Sequence, residues 1–300
     1  MIRRVIQWAT GGVGRAAIEG VLNHPDLELV GCWVHDEAKE DEDAGTLAGQ
    51  DPIGIRATRD VDALLATDAD CVLYSPIFAD PSIVTRILRS GKNVVTPLGW
   101  FYPPDEERAT FDAVCRDAGV TLHGTGIHPG GITERFPLML SALSGSITRV
   151  RAEEFSDIRT YGAPDVIRDW MLFGNTPEEA RTSIMADALG AGFRQSIHML
   201  ADELGFDLDP GLRTTHDMAV ATAPLDSPIG TIEPGKVAAQ RYRWEGLVDG
   251  EPVVTAAVNW LMGDEHLDPD WTFGPEGERY EVQITGDPGS LTVFHGLHPV

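Results

Sequence analysis

The sequence predicts an α/β protein in two parts, a doubly wound parallel sheet followed by an α+β domain built on a largely antiparallel sheet. Strands alternate with helices up to residue 131, and a glycine-rich turn joins the first strand to the first helix. Beyond that point, extended segments are separated by turns such as Asp249-Gly250, which is typical of an antiparallel hairpin. The division after residue 131 gives domains 1–131 and 132–300.

The first strand begins at Val5 and runs through the glycine-rich turn into an amphipathic helix. Glycine allows backbone angles that a Cβ resists and lets a bound group approach closely. The helix start presents unpaired N–H groups, which suit a pyrophosphate. Against the pattern G-x-G-x-x-G, Ala9 stands in the first glycine position, and Asp36 follows the second strand at the spacing of a ribose contact. This context predicts a dinucleotide site rather than an ordinary glycine turn.

Three further strands are predicted at Cys71–Ser75, Asn93–Thr96 and Val120–His123, with helices at Pro81–Arg89 and Asp105–Ala118 between them. The carboxyl ends of parallel strands share one edge of the sheet, where ligands bind. The residues predicted there to bind the cofactor are Thr10, Gly11, Gly12, Val13, Gly14, His35, Asp36, Lys39, Ser75, Pro76, Thr96 and Gly126.

The second half opens with a helix signal at Thr176-Pro-Glu-Glu179, and apolar residues then recur at helical spacing up to Gly205. This pattern predicts one long helix. The strands predicted after it are Val237–Val248, Val253–Met262, Tyr280–Thr285 and Leu291–His295. The charge run from Glu37 to Asp43 predicts a solvated loop.

The formal net charge of −24 argues against a nucleic-acid surface, since phosphate contacts need clustered Lys and Arg. No apolar run approaches the ~20 residues of a membrane helix, and the apolar stretch after Met1 breaks at Gly11-Gly12, which argues against an export signal. The sequence therefore predicts a cytoplasmic protein that binds a small molecule, with neither a nucleic acid nor a membrane as partner.

The cysteines and histidines show no spacing typical of metal ligands, and no metal is predicted. Cys32, Cys71 and Cys115 lie on or beside predicted core elements and are expected to be reduced. The histidines without ligand spacing are His198, His216, His266, His295 and His298.

Several short motifs follow one another along nearly the whole chain, and their order and spacing are informative. They are Gln7–Gly14, Val34–Lys39 with Asp43–Gly45, Asp70–Tyr74, Gly91–Thr96, Gly124–Gly130, and Gly277–Glu281 with Gly286–Pro288. With these motifs the chain resembles the dihydrodipicolinate-reductase-like oxidoreductases, in the branch of 2,4-diaminopentanoate dehydrogenase and the native amine dehydrogenases. The resemblance implies a Rossmann-type N-terminal domain and a C-terminal domain that binds substrate and forms a homodimer. It also implies hydride transfer from NADH or NADPH to a C=N or C=O carbon.

One departure from the family concerns the acid that handles the amine proton. In the amine dehydrogenases a pair of glutamates follows the strand that ends here at Thr96, whereas Leu98 and Gly99 occupy about those places. His128 stands where an Asn-Pro-Gly pattern is usual, and the His-rich stretch of true dihydrodipicolinate reductases is absent. An amine dehydrogenase-like enzyme and an imine or carbonyl reductase both stay open. The alternative is a catalytically altered dinucleotide-binding protein that acts as a sensor or structural partner.

The first candidate for proton transfer is His128, which lies on the glycine-rich loop and is expected to titrate near neutrality. A structural histidine that binds its own loop or the nicotinamide amide is the other interpretation. Tyr102 and Tyr161 are further catalytic candidates, for which packing roles are the alternative. Glu134 is expected in the first turn of a helix, where acids are common.

Trp100, Phe101 and Trp170 are predicted as walls of a substrate pocket, which favours a mainly apolar substrate, with interdomain core packing as the alternative. For the cofactor, Asp36 favours NADH because its carboxylate accepts from a 2′-hydroxyl and repels a 2′-phosphate. His35 and Lys39 can instead hold a phosphate. NADH is therefore favoured, with some use of NADPH.

Overall fold

The computed structural model describes residues 1–297, which form two compact units. The first unit ends at Gly126 and the second begins at Ile127, whereas the sequence analysis places the division after residue 131. Residues 298–300, with His298 among them, lie outside the described residues. Within residues 1–297, every helix is too short or too polar to cross a membrane.

The first unit is built on a six-stranded parallel sheet with the order β3-β2-β1-β4-β5-β6. Its strands are β1 (Arg3–Trp8), β2 (Leu27–Trp33), β3 (Ala57–Thr58), β4 (Cys71–Tyr74), β5 (Asn93–Thr96) and β6 (Leu122–Gly124). Its helices are α1 (Gly12–Leu22), α2 (Ala44–Leu47), α3 (Val61–Ala66), α4 (Pro81–Arg89) and α5 (Asp105–Ala118). The strand order reverses between β1 and β4, which is where ligands bind in such sheets. The predicted doubly wound sheet is confirmed.

Neighbouring residues of β1 pack into cores on opposite faces of this sheet, as the alternation of a strand requires. Ile6 belongs to the cluster that includes Val72 and Ile87, whereas Val5 belongs to the cluster around Ile18. Both faces of the sheet are therefore covered, as is usual for parallel sheets.

The second unit is built on a seven-stranded sheet with the order β13-β8-β11-β12-β7-β14-β15. Its strands are β7 (Ser146–Asp157), β8 (Arg213–Ala221), β11 (Val237–Val248), β12 (Glu251–Leu261), β13 (Leu267–Asp268), β14 (Arg279–Asp287) and β15 (Ser290–Phe294). A separate pair consists of β9 (Leu225–Ser227) and β10 (Gly230–Ile232). Neighbouring strands of the large sheet are antiparallel except for the parallel pair β12 and β7. The predicted antiparallel character is confirmed, although β7 and β8 are absent from the sequence prediction.

The helices of the second unit are α6 (Phe136–Ser141), α7 (Pro164–Asp169), α8 (Pro177–Ala180) and α9 (Met185–Leu204), after an irregular helical segment, Ile127–Arg135. Helix α9 covers one face of the large sheet, where Phe193 stacks on Trp244 with ring centroids 4.6 Å apart. The prediction of one long helix after Thr176 is wrong, because α8 and α9 are separate. Between them, the Ser183 hydroxyl donates to the Trp170 carbonyl and accepts from the Met185 N–H, so a side chain replaces helical hydrogen bonds there.

Candidate functional site

The buried side chain of Gln7 stabilises the turn after β1. Its Nε2 donates hydrogen bonds to the carbonyl oxygen of Ala9 at 2.8 Å and to the hydroxyl of Ser75, at the end of β4, at 2.9 Å. Ala9 has a φ of 77°, which is left-handed and costly for a residue with a Cβ. Gln7 therefore fixes the residue in the first glycine position and ties the turn to β4.

Two glycines of the turn have opposite surroundings. A Cβ on Gly14 would lie 2.1 Å from the carbonyl oxygen of Ala9, so this position requires glycine. A Cβ on Gly11 would meet nothing within 4 Å. Gly11 precedes α1, whose start has neither a capping side chain nor an acidic residue in its first turn. An open space above an uncapped, acid-free helix start fits the pyrophosphate of a dinucleotide.

The residues after β2 bring an acid and a cation to the same region of the first unit. The Asp36 carboxylate accepts a hydrogen bond from the Ala38 N–H at 3.0 Å. Lys39 donates from Nζ to the hydroxyl of Thr10 at 3.3 Å, which sets its charge beside the turn. His35 is exposed, and its ring centroid lies 6.0 Å from that of Trp33. The predicted cofactor residues of β1 and β2 are thus neighbours.

The remaining predicted cofactor residues of the first unit follow other strands. Thr96 is fully buried at the end of β5, and its hydroxyl accepts from the Leu98 N–H at 3.2 Å. Pro76 is partly buried after β4. Gly126 has a φ of 152° and is the last residue of the first unit.

Trp100 lies in the core of the first unit. Its ring meets Phe111 edge to face at 5.4 Å, and its indole N–H donates to the Glu107 carboxylate at 2.8 Å. Phe101 and Tyr102 are partly buried beside it. These contacts explain why Trp100 is buried in the core. The pocket roles of Trp100 and Phe101 and the catalytic role of Tyr102 stay predictions.

His128 lies in the irregular segment at the start of the second unit, with its ring against Phe193 and Tyr280 at centroid distances of 4.7 and 5.8 Å. Its Nε2 is 3.0 Å from the Ala257 carbonyl, so this nitrogen carries the proton and Nδ1 is an acceptor. Burial lowers the pKa of His128 to about 4. The expectation that His128 titrates near neutrality is therefore wrong, because desolvation keeps the imidazole neutral.

Two glutamates of the second unit titrate near neutrality instead. Glu134 is 4% exposed and accepts a hydrogen bond from Ser196 of α9 at 2.5 Å, so it is a buried acid with a defined partner. Glu154 is 5% exposed on β7 and accepts from the Ser156 hydroxyl and the Trp260 indole. Burial raises the pKa of each carboxyl to about 7. Glu154 was missed because β7 was missed; its alternation with Val150 and Ala152 is the signal that marks it as inward-facing.

The two other predicted residues of the second unit also lie partly buried. Tyr161 packs against the core of this unit, and burial, with a smaller contribution from the charge of Glu154, raises its pKa. Trp170 accepts at its carbonyl from Ser183 at 2.5 Å. Their catalytic and pocket roles stay predictions.

Comparison with known proteins gives matches in both halves of the chain. Residues 2–96 match the dihydrodipicolinate reductase N-terminus, and residues 132–260 match the 2,4-diaminopentanoate dehydrogenase C-terminal domain. An amine dehydrogenase of Streptomyces virginiae is 33% identical over 96% of this chain and 83% of its own length. A 2,4-diaminopentanoate dehydrogenase of Acetoanaerobium sticklandii is 28% identical over 47% of this chain and 40% of its own length.

Among solved structures, the amine dehydrogenase of Mycobacterium smegmatis shares this fold with a TM-score of 0.76 and 21% identity, over 98% of this chain and 87% of that one. The fold, the dinucleotide turn and the identity over nearly the whole chain agree. The chain belongs to the amine dehydrogenase and 2,4-diaminopentanoate dehydrogenase branch of the dihydrodipicolinate-reductase-like NAD(P)-dependent oxidoreductases.

Proposed function

We propose that this enzyme carries out amine dehydrogenase chemistry on a small, mainly apolar substrate. The observation that carries the proposal is the 33% identity to an amine dehydrogenase over 96% of the chain. In the direction of amine formation, one carbonyl compound, one ammonium ion and one NADH give one amine, one water and one NAD⁺. The bound nicotinamide supplies the hydride in this reaction.

Each part of the site has a role in this proposal. The helix start at Gly11–Val13 binds the pyrophosphate, with Lys39 as an added positive charge. Neutral His128 offers Nδ1 as an acceptor for an N–H of the substrate. Phe101, in the first unit, excludes water from the reacting carbon.

We propose NADH as the preferred cofactor, with NADPH also accepted. Asp36 follows β2 directly and carries the charge that disfavours a 2′-phosphate. Lys39, which is bonded to Thr10, supplies an opposing positive charge that tolerates one.

The experiment that tests the activity incubates the purified protein with NADH or NADPH and a panel of small carbonyl compounds, with and without ammonium. Consumption of reduced cofactor only with ammonium supports amine formation. Consumption without ammonium favours a carbonyl reductase, the second candidate, which the missing acids at Leu98-Gly99 leave open. Tight cofactor binding without turnover of any carbonyl would contradict the proposal and favour a sensor or structural role.

We further propose that the protein is a homodimer and acts in the cytoplasm. The face of the large sheet opposite α9 carries paired charges, among them Arg151 with Glu153 and Glu281, and Arg213 with Glu245. Such alternating charge is self-complementary across a two-fold axis. Light scattering after gel filtration tests the dimer, and cell fractionation of the tagged protein tests the location.

A further inference from the structure

A carboxyl group lies in the core of the second unit, and within residues 1–297 no cation is paired with it. Glu154 accepts hydrogen bonds at Oε1 from the Ser156 hydroxyl at 2.8 Å and from the Trp260 indole N–H at 2.9 Å. Arg149 and Arg151 of the same strand occupy odd-numbered positions and so lie on its other face. A buried carboxylate without a cation is costly, and burial accordingly raises the pKa of Glu154 to about 7.

The side chains of Ser156 and Tyr280 lie between Glu154 and the ring of His128. Tyr280 is the register partner of Glu154 on β14, and a hydrogen bond with Ser156 partly offsets the rise in the pKa of Tyr280 that burial causes. The Tyr280 ring in turn contacts the His128 ring at a centroid distance of 5.8 Å. Glu154, Ser156 and Tyr280 therefore form a path of carboxyl and hydroxyl groups, and the Tyr280 ring lies against His128 on the loop where the sequence predicts the site.

The groups that face this path come from several elements. Trp260 comes from β12, Tyr161 follows the end of β7, and His128 belongs to the irregular segment. The charge of Glu154 acts on both Tyr161 and Tyr280, and that of Glu278 acts on Tyr280. Burial raises the pKa of Glu154, and the hydrogen bonds that Ser156 and Trp260 donate to its carboxylate partly offset this rise.

We propose that Glu154 is a positioning residue of the reaction, an internal proton carrier that acts through Ser156 and Tyr280 in place of the acids missing at Leu98-Gly99. The inference rests on the proposed function. One proton passes from ammonium along the hydroxyls to the carboxylate, and the ammonia so formed adds to the carbonyl carbon as the C=O π bond breaks. A proton then moves from the added nitrogen to the former carbonyl oxygen, which gives the neutral carbinolamine. The same proton then returns to the hydroxyl that leaves the carbinolamine as water, while the nitrogen lone pair forms the C=N bond. The carboxylate is regenerated, and the iminium ion carries the positive charge that ammonium brought in.

The first test compares Glu154→Gln with Glu134→Gln in the full-length protein. Glutamine keeps an oxygen that accepts from Trp260 and Ser156 but does not titrate. At a fixed concentration of free ammonia, we expect kcat/KM of the wild type to fall as pH rises through about 7, and we call this decrease the neutral limb of the pH profile. Glu154→Gln should lack the neutral limb, and its rate at pH 6 should be at least tenfold lower than that of the wild type. Glu134→Gln is the matched control, because its carboxyl has a similar pKa but binds Ser196; it should keep the limb.

The second test does not depend on turnover. The indole N–H resonance of Trp260, assigned with Trp260→Phe, should shift with pH in the cofactor-free wild type and stay fixed in Glu154→Gln. Tyr280→Phe should keep this titration but lose rate, because it interrupts the path and leaves the carboxyl. A Trp260 resonance that does not titrate, or a Glu154→Gln enzyme that keeps both the limb and the rate, would overturn the proposal.

The result for Glu154→Gln can be told apart from a failure of the proposed amine chemistry. Carbonyl reduction without ammonia also consumes one proton, so an enzyme that proves to be a carbonyl reductase should still lose its neutral limb in Glu154→Gln.

Discussion

The buried amide of Gln7 hydrogen bonds to the carbonyl oxygen of Ala9, two residues along the chain, and holds that residue in its left-handed conformation. Replacement by leucine removes the donor and leaves the carbonyl unpaired. We expect Gln7→Leu to raise the dissociation constant of NADH about tenfold, which corresponds to roughly 1.4 kcal/mol, within the cost of an unmade buried hydrogen bond. Calorimetric titration with NADH measures it. The exposed Gln50→Leu variant is the control; equal affinities for the two variants would refute a role for Gln7 in the turn.

The two glycines with opposite surroundings make a matched pair. Gly14→Ala forces a Cβ to 2.1 Å from a backbone oxygen, so we expect the first unit to lose its fold, seen as a loss of helix and strand signal in far-UV circular dichroism. Gly11→Ala meets no protein atom within 4 Å, so the protein should fold normally but bind dinucleotide at least tenfold more weakly. Gly20→Ala, on the exposed side of α1, should leave binding unchanged. Normal cofactor affinity in Gly11→Ala would show that the pyrophosphate lies elsewhere.

Cofactor preference should respond in opposite directions to two substitutions after β2. Asp36→Ala removes the charge that repels a 2′-phosphate, so the ratio of NADPH to NADH affinity should rise. Lys39→Ala removes the cation that is bonded to Thr10, so the same ratio should fall. Fluorescence titration with both cofactors gives the four constants. An unchanged ratio in both variants would remove these residues from cofactor selection.

The neutral His128 gives stability a defined dependence on pH. Its folded pKa of about 4 lies below its ordinary value of 6.5, so between these values the unfolded chain binds a proton that the folded chain does not. The free energy of unfolding should therefore fall as pH decreases from 6.5 towards 4, by about 3 kcal/mol at most. His128→Asn lacks the titration, and urea unfolding at several pH values should show its difference from the wild type shrinking towards acid pH. A difference that does not vary with pH would contradict the buried neutral ring.

Arg151 separates two acidic side chains on the face of the large sheet opposite α9. It is paired with Glu153 and with Glu281, the latter at 2.7 Å, and both carboxylates are buried. Arg151→Met leaves them without this partner, and we expect a loss of roughly 3 kcal/mol or more from the second unit. Thermal unfolding measures the loss, with the exposed Arg116→Met as the control. Similar melting temperatures would show that Arg243 and Arg279 suffice for the two acids.

The sequence patterns located the first unit more completely than the second. The strands at Cys71 and Asn93 are short apolar runs that end at proline or polar residues, so local signals suffice to find them. The strand β7 escaped because polar Glu154 and Ser156 follow Val150 and Ala152 at inward positions, where apolar residues are expected. Glu154 is satisfied there by Trp260, a partner distant in sequence, and no local pattern reveals such a partner.

How much of the candidate site could be predicted also depends on whether its contacts are local or distant in sequence. The cofactor turn depends on neighbours in sequence, so its glycines and the acid after β2 could be found directly. Asp43, in contrast, belongs to a charge run that predicts a solvated loop, and this prediction is wrong for it. Asp43 is buried and accepts hydrogen bonds from the backbone of Gly45, Thr46, Ile53 and Gly54. The pKa values of His128 and Glu154 likewise depend on burial by segments more than 100 residues away, such as β12.

The parallel pairing of β7 with β12 has a consequence for synthesis on the ribosome. The first unit has all its strands once Gly124 has been made, and it can begin to fold while the rest is translated. The strand β7, by contrast, ends at Asp157 and stays without both neighbours until β12, which begins at Glu251, and β14, which begins at Arg279, emerge. During that interval Arg149, Arg151 and the neighbouring glutamates keep the strand hydrated, and their charges protect the nascent chain from aggregation at an unpaired edge.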